Sequence, residues 1–157
     1  MEAVLNLPVL VSLRCEVMQL DLSSLRKAVE SLERTLKVAD DEAFTSRLNE
    51  DQRETVRAGV IQSFEVTYEL GWKFMKRWLE MNLGAVYVAG VNRRQLFRLS
   101  AEHRLLGDVD RWMEFHDARN ETAHTYDENT AADVFEAAHR FLADAQGLLQ
   151  ALGAHND

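Results

Sequence analysis

The sequence predicts an all-helical, up-and-down bundle of four to five helices. Three observations lead there. The 157 residues include one proline, Pro8, so residues 9–157 are free of the strongest helix breaker. Apolar residues recur every three or four positions in successive windows, the stripe of an amphipathic helix. Short links join those windows, as in bundles of antiparallel neighbours.

The length suits one ordinary domain. With 46% hydrophobic and 28% charged residues the chain can bury a core, which excludes a disordered tail or a fibrous repeat. A lone cysteine, Cys15, excludes a disulfide framework and a Cys-based zinc knuckle, and fits a reducing cytoplasm. The formal net charge of −8 argues against a coat for tight, nonspecific nucleic-acid or membrane binding, but leaves room for a local basic groove.

The run from Ala3 to Val11 is apolar but too short to span a bilayer. Glu2 stands where a secretory signal would be basic. Residues 1–17 therefore read as an extension to a bundle over 18–153, with 154–157 as a tail. A start at Met18 would open directly into the first helix and make the extension an upstream-start artefact.

Leu22, Leu25, Val29, Leu32 and Leu36 form the first helical stripe, with Asp21 placed to cap it. Residues 40–48 read as a polar connector. Asn49 with Gln52 resembles a capping box and opens a long helix. Its predicted face is Val56, Val60, Phe64, Tyr68, Trp72, Met75 and Leu79, and Gly84 suits its C-terminal cap. Gly59 and Gly71 inside it each cost about 1 kcal/mol against alanine, which close approach of another helix would explain. After an apolar connector at 85–91, Asn92 and Gln95 repeat the cap signature for a helix to about Leu106, closed by Gly107. Asp108 opens a fourth helix carrying Val109, Trp112, Phe115 and Arg119. A turn at 125–129 leads to Thr130 and a last helix through Val134, Ala138, Phe141, Ala145, Leu148 and Leu152, stopped by Gly153.

Charge is unevenly spread. Residues 72–105 hold Lys73, Lys76, Arg77, Arg93, Arg94, Arg98 and Arg104 against Glu80 and Glu102, a local +5 beside a remainder of −13. Two solvated helix faces with ordinary salt links, or a phosphate-tracking surface, fit this pattern equally.

The segment from Arg119 to Glu128 is the most informative. A permanently charged arginine can fork onto a phosphate, and a histidine can take or give a proton near neutral pH. The pair suits cleavage of an RNA phosphodiester by its own 2′-hydroxyl, chemistry that needs neither metal nor cofactor. The spacing is cheap: Arg98/His103, Arg111/His116 and Arg119/His124 all match Arg-x4-His. Only the third sits at a helix end beside a polar turn. Five residues turn a straight helix by about 500°, so His124 must lie beyond the helix or meet an arginine across a dimer interface. The bland alternative is His124 capping the last carbonyls of the fourth helix.

Arg119-Asn120-x-x-Ala123-His124-x-Tyr126-Asp127-Glu128 resembles the Arg-x4-His-x-Tyr signature of the HEPN superfamily. It is specifically similar to the HEPN partners of HEPN/MNT toxin–antitoxin pairs, also called nucleotidyltransferase substrate-binding proteins. The block Gly59 to Lys73 is similar to that family's long-helix motif, and Trp112 fits as well. The resemblance runs from about Met18 to Leu152, is loose over Val91 to Phe97, and has no counterpart for residues 1–17. It implies a homodimer whose motifs meet at the interface and cleave RNA. Arg119 would then hold the scissile phosphate, His124 transfer a proton and Asn120 orient the motif. Tyr126 would be the hydroxyl that an MNT nucleotidyltransferase modifies with AMP. Lys73, Lys76, Arg77, Arg93, Arg94 and Arg98 are the candidate RNA contacts.

Glu65 and Glu69 lie four apart on one helix face and read as a carboxylate pair answering an arginine, with Arg119 a candidate. Two other functions compete. One is a non-catalytic binding subunit of a nucleotidyltransferase, with Arg119 and His124 gripping a nucleotide phosphate. The other is a di-iron carboxylate bundle using Glu121-x-x-His124 and Glu136-x-x-His139, disfavoured because the motifs fall on adjacent helices at different heights.

Overall fold

The computed structural model describes residues 18–156. Among these the chain forms α1 (Ser23–Asp40), α2 (Glu42–Thr45), α3 (Glu50–Leu83), α4 (Ala85–Val88), α5 (Arg93–Glu102), α6 (Val109–Glu121), a 3₁₀ turn (Thr122–His124) and α7 (Glu128–Ala154). Five helices are long, as the stripes predict; α2 and α4 are single turns inside the two connectors. The readings made for residues 1–17, including Cys15 and Pro8, lie outside the described residues.

Local chemistry explains most boundaries. Asn49 Oδ1 accepts from Gln52 N at 2.9 Å while Gln52 Oε1 accepts from Asn49 N at 3.0 Å, a complete capping box. Asn92 and Gln95 repeat it at the start of α5. Asp21 Oδ1 accepts from Ser23 N, and Asp108 Oδ1 from Arg111 N. Gly84 ends α3 at φ +98°, a conformation a Cβ disfavours.

Three boundaries differ from expectation. α5 stops at Glu102, four residues short of the expected Leu106, and Gly107 is not its cap. Arg104 takes the left-handed position instead, at φ 60°. Leu105 N donates to Ser100 O and Arg104 N to Ala101 O, the two bonds of a Schellman ending. The last helix opens at Glu128 rather than Thr130, because Asp127 caps it by accepting from Thr130 N at 2.9 Å. It also runs through Gly153 to Ala154. Beyond it Asn156 exchanges two hydrogen bonds with the Leu20 backbone, and Trp78 Nε1 donates to His155 O.

α1 and α7 both pack on α3, and α6 packs on α7. The centre is aromatic: Phe141 meets Phe64 and Trp112 edge-on at 5.3 Å and Phe115 at 5.0 Å between centroids. Each such pair adds about 0.5–1.5 kcal/mol beyond its buried area. Gly71 faces this cluster; a Cβ there would stand 3.3 Å from Leu148 Cδ2 and 3.5 Å from Trp112, so close helix approach does explain it. It does not explain Gly59, where no described atom lies within 4 Å of an added Cβ.

Trp72 and Val56 are only half-buried, against the predicted face. Steps of four overshoot a helical turn by about 40° each, so a 56-60-64-68-72 stripe drifts round the helix. The core follows Tyr68 to Gly71, then Phe74 with Met75 and Trp78 with Leu79. Trp72 is thereby left on the flank, where it becomes part of the site.

Candidate functional site

α6 ends where Thr122 turns back on Arg119. Thr122 N and Oγ1 both donate to Arg119 O, the latter at 2.8 Å. The 3₁₀ turn follows, and Asp127 N donates to His124 O as α7 begins. This corner turns His124 and Tyr126 outward; Tyr126 is 88% exposed. The two rings stand edge-to-face at 6.1 Å. Thr122 thus performs the cap that His124 was a candidate for.

Arg119 points back toward α3. Its Nη2 lies 3.1 Å from Glu65 Oε1, its Nε 3.2 Å from Glu69 Oε1, and its Nη1 donates to Thr122 Oγ1 at 3.2 Å. The Nε contact is an ion pair without an aligned hydrogen bond. Glu65 and Glu69 share a face by their spacing of four, so one guanidinium reaches both. A guanidinium has five N–H donors, so its Nη groups retain donors for an incoming phosphate.

Glu69 continues the cluster. Its Oε2 accepts from Trp72 Nε1 at 3.0 Å, and the Arg93 guanidinium lies 3.5 Å over the Trp72 ring. Behind them Tyr68, buried, places its hydroxyl 2.7 Å from His116 Nδ1, and Asn120 Nδ2 approaches His116 Nε2 at 3.4 Å. Burial pushes the Tyr68 hydroxyl far above its usual range, although Arg93 opposes this. Burial, and then the neighbouring Arg93 charge, hold His116 below the usual histidine value, so it is neutral at physiological pH.

Residues 20–154 match a family described as nucleotidyltransferase substrate binding protein like. The chain belongs to that family. Its relative "Probable ribonuclease HepT" of Haemophilus influenzae is 32% identical over 139 residues, 88% of this chain and 95% of the relative. A Haemophilus influenzae structure, described as the fold of a substrate binding domain of a nucleotidyltransferase, superposes with a TM-score of 0.82 at 32% identity. It covers 85% of this chain and 99% of its own. A Thermus thermophilus protein follows with a TM-score of 0.58 at 27% identity, over 83% of this chain and 97% of its own. The all-helical fold and the family resemblance read from the sequence both hold.

In this member of the substrate-binding-protein family, the predicted Glu65, Glu69 and Arg119 gather in one cluster, Asn120 reaches His116 instead, and His124 and Tyr126 stand on the corner beside them. No hydrogen bond or ion pair joins His124 to Arg119 among the described residues. The basic residues divide. Lys73, Lys76 and Arg94 reach Glu69, Glu80 and Asp110 in exposed ion pairs, and Arg77 lies over Phe74. Arg93 joins the central cluster, and Arg98 is exposed.

Sequence reasoning missed Tyr68, His116 and Thr122 as parts of the site. The signal for His116 lay in its spacing of three and four from Arg119 and Asn120, one face of α6. Its nominal motif partner Arg111 instead pairs with Asp144 on α7. The di-iron alternative finds no ligand set: among the described residues no three His, Cys, Asp or Glu side chains converge. His139 is engaged with Asp40 and the Phe135 carbonyl. No helix among the described residues is long and apolar enough to cross a membrane.

Proposed function

We propose that this chain is a metal-independent RNA endonuclease, the toxin of a HEPN/MNT pair, acting as a homodimer in the cytoplasm. The observation that carries the reading is the α6–α7 corner: Arg119 is held by Glu65, Glu69 and Thr122, with His124 and Tyr126 exposed just beyond it. A relative of similar length named as a probable ribonuclease supports the same reading.

Arg119 holds the scissile phosphate through its remaining Nη donors, which stabilises the charge that builds there during attack. The 2′-oxygen attacks phosphorus and the bond to the 5′-oxygen breaks, leaving a 2′,3′-cyclic phosphate and a 5′-hydroxyl. His124 takes the 2′-hydroxyl proton or gives one to the departing 5′-oxygen; two copies at a dimer interface would supply both transfers. Asn120, bonded to His116, keeps the last turn of α6 in register with Arg119.

RNA approaches from the α5 side. On the other flank the first turns of α3 and residues 122–131 border a groove of about 1140 Å³ holding Glu50, Asp51, Glu54, Glu65 and Glu128 against Arg57. That surface repels a phosphate backbone. Tyr126 lines the same groove, so a nucleotidyltransferase docking there would meet its hydroxyl. AMP on Tyr126 would add a phosphate beside His124, whose ring stands 6.1 Å from that of Tyr126, and hinder RNA there by charge and bulk.

A second reading, a non-catalytic subunit that binds a substrate for the nucleotidyltransferase, is favoured by one feature. Arg119 already answers two carboxylates, which leaves less of its charge to stabilise the charge that builds in a transition state. Cleavage of RNA in EDTA by protein purified without its partner, confirmed unmodified by intact mass, separates the two. Cyclic-phosphate ends that vanish with His124→Ala support the ribonuclease; intact RNA with the wild type supports the binding subunit.

A further inference from the structure

A cavity of about 410 Å³ opens between α3, the α4 loop and α5, within the size range of small-ligand sites. Trp72, Lys76, Val88, Val91, Arg93 and His116 line it. Arg93 is the unusual member. It is half-buried, no carboxylate lies within ion-pair distance of it among the described residues, and its Nε is buried without a hydrogen-bond partner. The Trp72 ring and the nearby Glu69 charge offset its burial without a hydrogen bond, which leaves the guanidinium donors for an anion. Stacking on the Trp72 ring fixes the orientation of its planar guanidinium, whose fork of donors suits a phosphate.

We infer that this cavity is a nucleotide subsite, in which Arg93 and Lys76 take a phosphate and the apolar wall of Val88 and Val91 takes the base. His116, its ring nitrogens engaged by Tyr68 and Asn120 and its pKa lowered by burial and the Arg93 charge, closes the cavity as a ring surface and adds no charge. In single-stranded RNA recognition a cationic groove likewise tracks the phosphates while the bases rest on neighbouring side chains. The subsite is wired to the cleavage centre. Arg119 contacts Glu69 Oε1 at 3.2 Å, Glu69 Oε2 accepts from Trp72 at 3.0 Å, and Trp72 carries Arg93 at 3.5 Å. A nucleotide seated at Arg93 therefore has a fixed place relative to the phosphate at Arg119. The inference rests on the ribonuclease reading for its ligand's source, an RNA strand; the nucleotide chemistry itself does not.

The test is calorimetric titration of the full chain with AMP, UMP, inorganic phosphate and a short 2′-O-methyl oligoribonucleotide that cannot be cleaved. Saturable nucleotide binding is expected, weakened at least about tenfold by Arg93→Gln as a charge-assisted contact is lost, and unchanged by Arg26→Gln on distant α1. Lys76→Glu, on the exposed rim, gives a second reading if Arg93→Gln fails to fold. Oligonucleotide binding tighter than mononucleotide binding, with the same Arg93 dependence, assigns the site to an RNA strand; equal affinities assign it to free nucleotide. No binding by any probe, indifference to both variants, or inorganic phosphate binding as well as AMP and UMP would overturn the subsite. RNA cleavage is scored alongside. Cleavage without Arg93-dependent binding sinks the subsite alone, and binding without cleavage sinks the ribonuclease alone.

Discussion

Replacing Arg119 with methionine tests the cluster as a physical unit. Methionine keeps much of the aliphatic stem and removes only the guanidinium. The wild-type contacts are two ion pairs at 3.1 and 3.2 Å between side chains 26–38% exposed, and one hydrogen bond to Thr122. At that exposure each pair contributes at most about 1 kcal/mol. The hydrogen bond adds about 0.5–1.5 kcal/mol. The variant also leaves Glu65 and Glu69 facing each other at i,i+4 without a counter-charge, a repulsion of about 0.2–0.5 kcal/mol. Together these predict a loss of about 2 kcal/mol, or about 4–8 °C in Tm for a chain of this size. The decisive measurement is the sign change around it. Glu65→Gln with Glu69→Gln should destabilise the wild type but stabilise the Arg119→Met protein, in a cycle of urea and thermal unfolding. A shift below about 1 °C for Arg119→Met, or the same effect of the glutamine pair in both backgrounds, would refute the cluster as described.

Three further outcomes follow from local geometry. Burial lowers the His139 pKa, but the Asp40 hydrogen bond, the Phe135 carbonyl and the Asp40 and Glu136 charges more than reverse this and raise it. Its pairing with Asp40 therefore stabilises the fold fully below the unfolded histidine pKa and fades as pH rises through the folded one. Asp40→Asn should lower Tm more at pH 5.5 than at pH 8.5, and lower the His139 midpoint seen by NMR. Asn49→Ala, which breaks the capping box of α3, should cost about 1 kcal/mol in urea unfolding. Arg104→Gly should stabilise by up to about 1 kcal/mol, because Arg104 sits at φ 60° where glycine is unstrained; an unchanged or lower urea midpoint would count against that ending of α5.

Three helix starts were legible because capping is chemistry within four residues: Asn49 with Gln52, Asn92 with Gln95, and Asp108 with Arg111 all bond as their spacing implies. The Asp127 cap of α7 was missed in favour of a start at Thr130. Helix ends were legible only where glycine marks them. Gly84 does, whereas α5 closes through backbone bonds around Arg104, and no side-chain signal announces that. The stripe that defines the core was right for α1 and α7, and misplaced Trp72 only because a step of four drifts over a helix as long as α3.

The sequence by itself determined the all-helical class, the family, and the Arg119, His124 and Tyr126 corner, since each depends on residues near one another in the chain. Tertiary structure alone decided what Arg119 and its neighbours touch. Its two carboxylates come from α3, about fifty residues away; Tyr68 meets His116 across 48 positions, and Trp72 meets Arg93 between α3 and α5. Those contacts depend on how helices dock, which buried aromatic packing sets, and side chains on the flank of the core are then brought together by that docking.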